Sequence, residues 1–262
     1  MDNPAFSKSP AFQSDRAAAS RATLSATELQ DLYNAPAATA VETDRMTIED
    51  TIAKTAISFL VLLVGAAVGW FVPVLALPAA IAGFVLALVN IFKKNPSPPL
   101  ILAYAGVEGI FVGAISGILE AVYPGIVVQA VLATLVVVGV TLALFASGKI
   151  RASAKATKVF LIAMIGYAVF SLVNFGLMIF GATDNAWGLR SVEVFGIPLG
   201  LILGVLVVLL AAYSLVLDFD TIQRGVRAGA PRRYGWTGAF GIMITVVWLY
   251  LELLRMFAIA RD

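Results

Sequence analysis

The order of apolar and polar positions divides the chain in two. Residues 1–46 mix Ala, Ser, Asp and Thr with scattered charges and never sustain an apolar run, whereas from Ile52 onward long apolar runs alternate with short clusters of charge, Pro and Gly. A helical span of a bilayer needs about 20 such residues. The pattern therefore predicts seven spans, near 52–72, 76–92, 99–119, 124–147, 159–181, 195–217 and 237–259. The expected fold class is an all-α membrane protein: a seven-transmembrane-helix bundle over 47–262 behind a disordered tail over 1–46. Within the tail, Asn3-Pro4-Ala5-Phe6 and Ser9-Pro10-Ala11-Phe12 form a near-repeat, and Ser25-Ala26-Thr27-Glu28 has capping-box spacing for a short helix through Tyr33. The first apolar run comes too late and is too long for a signal peptide. The first two spans are joined by the uncharged Phe71-Val72-Pro73-Val74.

Composition supports lipid as the main solvent. The 262 residues are 60% hydrophobic and 13% charged, with a mean hydropathy of +0.94, whereas a soluble domain carries roughly a quarter charged residues. A net charge of +2 is too small to recruit nucleic acid or another polyanion. Histidine and cysteine are both absent. That excludes thiol and imidazole chemistry, Fe–S clusters and His- or Cys-ligated zinc. Proton or cation handling must then rest on carboxylates, Lys, Arg, Tyr, hydroxyls and backbone carbonyls, and no cofactor is expected. Nor is an enzyme. Intramembrane hydrolysis would need two aspartates on facing spans, while Asp218 and Asp220 share one helix end.

Basic residues set an orientation. Fifteen of the 18 Lys and Arg fall in the tail with the start of the first span, or in the second, fourth and sixth loops; the alternate side keeps Arg190, Arg255 and Arg261. The positive-inside rule thus expects a cytoplasmic N-terminus and an outside C-terminus. Two glycine ladders, Gly109/Gly113/Gly117 and Gly196/Gly200/Gly204, have the spacing that lets helix backbones approach closely, or slide during gating. Pro78 and Pro198 are candidate kinks.

Ionisable groups within spans are costly and mark candidate sites. Glu108 lies nine residues into its predicted helix, at about 14 Å of helical rise, as either a proton or cation site or a neutral acid. Glu120 and Asp218 fall near an interface, where solvation accounts for them. Glu252 and Arg255, three residues apart, can pair as a structural ion pair or as a latch.

The segment Tyr213-Ser214-Leu215-Val216-Leu217-Asp218-Phe219-Asp220-Thr221-Ile222-Gln223 resembles the sixth-helix motif of the Bax inhibitor/YccA-like family, the transmembrane Bax inhibitor motif proteins, in a bacterial form. Trp70-Phe71-Val72-Pro73-Val74, Glu108-Gly109-Ile110-Phe111-Val112-Gly113 and Leu249-Tyr250-Leu251-Glu252-Leu253-Leu254-Arg255 carry the same resemblance, which spans roughly residues 47 to 260. It implies a pH-dependent leak of cations, calcium in particular, across a bacterial plasma membrane. The pH sensor would be two acids sharing a proton, because two carboxylates in contact cannot both stay ionised cheaply. Asp220 matches the first acid. The second is Glu252 if Leu-Tyr-Leu-Glu is aligned, but then the interval is longer than usual; aligning the terminal Leu-Leu-Arg instead leaves Thr245 at that position. Helical rise from Trp236 puts Glu252 about 24 Å along its helix, past the midplane of a core about 30 Å thick, with Asp220 near the inner surface. Lys93 and Lys94 fall where the family places a basic partner for the first acid. Asp220 and Glu252 are also the oxygen donors expected to meet calcium as a transported ion. Expected partners are the lipid bilayer, the cation and, on the alternative reading of a membrane scaffold or regulator, another membrane protein such as a membrane-bound protease.

Overall fold

Seven helices carry the apolar runs: α1 Ile48–Phe71, α2 Ala76–Phe92, α3 Pro98–Val122, α4 Ile126–Ala146, α5 Ala154–Ile179, α6 Leu199–Arg227 and α7 Gly235–Ile259. The computed structural model describes Gln30, residues 44–183 and residues 185–262. Residues 1–43 of the tail expected over 1–46, with its near-repeat and capping box, lie outside the described residues apart from Gln30. All seven helices are long and apolar enough to cross a membrane. The chain is an all-α, multi-pass membrane protein.

Local chemistry explains where the helices begin. Thr47 caps α1 by accepting from the Asp50 N–H at 3.1 Å, and Ser153 caps α5 by accepting from the Ala156 N–H at 3.2 Å. Each helix thus starts a few residues earlier than hydropathy suggests. Residues 44–46, expected in the tail, belong to the bundle. Met46 is buried and its N–H donates to the Ala230 carbonyl at 2.7 Å, while the Arg232 N–H donates to the Asp44 carbonyl at 2.8 Å. This strap ties the start of α1 to the start of α7. Lys54 reinforces it by donating to Asp50 and to the Arg232 carbonyl, the latter at 2.7 Å, and Arg232 pairs with Asp50 at 2.8 Å.

Both ends of α6 also depart from the sequence reading. Its start moves from 195 to 199 because Glu193–Val194 and Ile197–Pro198 form a short antiparallel hairpin, turned at Phe195 and Gly196, both with positive φ. Gly196 is therefore a turn residue and leaves the ladder, and Pro198 precedes the helix instead of kinking it. Pro78 sits in the first turn of α2, where no helical hydrogen bond is lost. At the other end α6 runs on to Arg227, ten residues past the predicted stop, so Asp218 and Asp220 lie within the helix.

Without a hydrophobic drive between helices in lipid, close packing of small residues holds them together. On α3, a side chain at Gly109 or Gly113 would strike the Leu62 or Ala66 carbonyl of α1, and Gly65 and Gly69 of α1 return the same contact to α3. On α6, Gly204 packs against Met256 of α7. Helix α7 is the most buried span and α5 the least. A hydroxyl pair, Ser116 and Tyr250 at 2.6 Å, joins α3 to α7 inside the core.

Candidate functional site

Helical periodicity separates the two acids of α6. Asp218 shares a face with the buried Ala211, Leu215 and Ile222 and points into α7, whereas Asp220 turns away and pairs with Arg224, one turn on, at 3.0 Å. The Asp218 carboxylate accepts a hydrogen bond from the Thr245 hydroxyl of α7 at 2.7 Å, and Ser214 Oγ lies 3.3 Å from the same hydroxyl. Gly241 leaves room for this contact, since a Cβ there would lie 3.2 Å from Asp218 Oδ1. Asp218 lies nine residues from the end of α6 and Thr245 ten from the start of α7, about 14–15 Å of helical rise. Asp218 thus lies within α6 and faces α7, and is not at a helix end.

The pair faces a cavity of about 600 Å³ whose lining includes Asp218, Thr245, Lys93, Lys94, Tyr234 and the strap residue Met46. The two lysines share this cavity with Asp218, while Asp220 does not line it.

Glu252 belongs to a second cluster, two helical turns from Thr245. It is 2% exposed and receives a hydrogen bond from the Tyr167 hydroxyl of α5. Arg255 donates to it at 2.8 Å, the contact the three-residue spacing allows, and Arg190 approaches its other oxygen at 3.9 Å. Arg190, 4% exposed, also donates to Tyr167 at 3.0 Å and Ser171 at 3.2 Å. Asp220 and Glu252 are therefore not brought together: each has its own basic partner, and the residue facing Asp218 is Thr245. Among the described residues no group of three acidic side chains could hold a metal ion.

Glu108 lies on α3 against Gly83 of α2 and lines neither cavity. Glu120 accepts from the Gly125 and Val127 N–H groups at 2.6 and 3.0 Å, capping the start of α4.

Sequence reasoning passed over Tyr167 and Arg190. Arg190 reads as a loop charge. Tyr167, Ser171 and Asn174 do carry a signal, since polar residues at i, i+4 and i+7 form one stripe along the otherwise lipid-exposed α5.

A half-buried carboxylate–hydroxyl pair between the two C-terminal spans of a seven-helix bundle, with charged side chains gathered at two separate depths, defines a polytopic membrane protein with polar chemistry between its helices. A sequence model of the family described as Bax inhibitor 1 like matches residues 3–262. The chain belongs to the Bax inhibitor 1 like family. No curated protein matches it in sequence.

Proposed function

We propose that this protein is a pH-dependent cation leak pathway of a bacterial plasma membrane, with Asp218 as the carboxylate whose protonation gates it. One observation carries the reading: Asp218 bridges α6 to α7 through Thr245 in the wall of a cavity that holds other polar groups. Ionised, the carboxylate is a full acceptor for Thr245 and a negative charge for a passing cation; protonated, it loses that charge and the charge-assisted bond. Either change alters the α6–α7 contact. One carboxylate and two hydroxyls are too few oxygens to retain Ca²⁺, which takes six to eight ligands, and such a sparse set suits passage over storage.

Orientation follows from charge. Lys93 and Lys94 line the cavity beside the strap, and Arg224, Arg227, Arg232 and Arg233 lie on the same loop side, so we assign this end to the cytoplasm and the hairpin end to the outside. The test is Ca²⁺ uptake by liposomes containing the purified chain, read with an internal dye across a pH series. The expected result is uptake above empty liposomes that changes with pH; vesicles that stay tight at every pH contradict the proposal.

A further inference from the structure

The cluster around Glu252 has a charge imbalance that the leak pathway leaves unused. Among the described residues, one carboxylate faces two guanidiniums, Arg190 and Arg255, and the tyrosine between them is a neutral bridge. Glu252 lies seven residues from the end of α7, about 10 Å of helical rise, and Tyr167 twelve from the end of α5, about 18 Å. These depths fall within the half-thickness of a hydrocarbon core or slightly beyond it, about 15 Å. A surplus positive charge held there is expensive unless an anion meets it.

The geometry leaves room for one. A cavity of about 450 Å³ opens beside the cluster, with Arg190, Arg255 and Glu252 on one wall and Trp187, Trp248 and Phe175 among the others. Arg190 spends one nitrogen on Tyr167 and Ser171 and turns the other toward Glu252 only at 3.9 Å, and Arg255 spends a single nitrogen on Glu252 and Tyr167. Donors on both guanidiniums are thus left for a ligand. Arg forks match the oxygens of phosphate closely, and the aromatic walls suit an apolar body attached to it.

We propose that this cavity binds a phosphate group, as an anionic phospholipid headgroup arriving between α5 and α7 or as free phosphate from the hairpin side. Tyr167 and Ser171 hold the Arg190 guanidinium beside the cavity, and the anion supplies the charge balance that Glu252 alone leaves unmet.

Two of the four tryptophans line the cavity, so intrinsic fluorescence reports its occupancy. The full chain, delipidated in a neutral maltoside detergent, is titrated with phosphatidylglycerol, phosphatidylcholine or inorganic phosphate, with sodium chloride as the control salt. The expected result is a saturable change with phosphatidylglycerol, inorganic phosphate or both, which identifies the source, and none with chloride. Arg255→Gln, at a partly exposed position, weakens that response at least tenfold. Glu252→Gln, which raises the surplus charge, binds at least as tightly as the wild type. No saturable response to either anion, an unchanged affinity in Arg255→Gln, or weakened binding in Glu252→Gln overturns the proposal.

Discussion

Two aspartates separated by one residue end up in opposite circumstances because a helix turns about 100° per residue. Asp218 is packed against α7 and bonded to Thr245, while Asp220 is paired with the exposed Arg224. On the alignment that keeps the usual interval, the family motif has a carboxylate where Thr245 stands, so Thr245→Asp would create the two-acid pair. That variant is expected to add a second titrating step to the pH profile of Ca²⁺ uptake, measurable in the same liposomes. Glu108 makes the opposite case. It lies against Gly83 and lines neither cavity, so Glu108→Gln should leave uptake and its pH dependence within about twofold; a variant lacking the pH response would move the sensor to α3. At this scale the sequence discloses which residues are costly but not which way they face. The Leu-Tyr-Leu-Glu match points to Glu252 and the usual interval to Thr245, and only the register of α6 against α7 brings Asp218 to Thr245. Arg190 was illegible for the same reason, since a loop charge comes into the core only when the chain between α5 and α6 folds back.

Among the elements, hydropathy located all seven helices because each needs an apolar surface toward lipid or core, yet it misjudged both ends of α6. Asp218, Asp220, Thr221, Gln223 and Arg224 lower the mean hydropathy and resemble the end of a span, but they are compatible with a continuing helix, and Arg224 and Arg227 favour its C-terminal dipole. Hydropathy marks where lipid stops, not where a helix does. The glycines of α1 and α3 were legible from their four-residue spacing, and their role is close backbone packing. Gly113→Leu would force the Ala66 backbone away, costing about 1–3 kcal/mol or more by overpacking, seen as a lower melting temperature in detergent; Gly139→Ala, with open space around it, should melt as the wild type does. Between the two charged depths, Leu215 of α6 and Leu249 of α7 are fully buried, each about one turn from the Asp218–Thr245 pair. On the proposed leak pathway, these two side chains are the apolar barrier between the two cavities. Leu249→Ala is expected to raise Ca²⁺ uptake about tenfold, equivalent to about 1.4 kcal/mol of barrier.

For the molecule as a whole, two polar centres lie two helical turns apart along α7, and a strap of three residues adjoins the cavity of one of them. Met46 is buried at the cavity that Asp218 lines, so the chain leading into α1 narrows access to the acid. Removing residues 1–43 should leave uptake and its pH dependence intact, because the strap is retained. Met46→Ala should accelerate uptake without changing the pH of half-maximal effect, because it widens the approach and leaves the Asp218–Thr245 bond in place. Loss of all cellular effect on removing 1–43, with uptake in liposomes unchanged, would instead favour a scaffold that binds another membrane protein. On the proposed function, Asp218 and not its neighbour Asp220 senses protons. The most direct measurement is the pH profile of Ca²⁺ uptake into liposomes containing wild-type protein, Asp218→Asn or Asp220→Asn at matched protein content. A flat profile for Asp218→Asn beside a wild-type-like profile for Asp220→Asn is the predicted result; a pH response that survives in Asp218→Asn and vanishes in Asp220→Asn would contradict it.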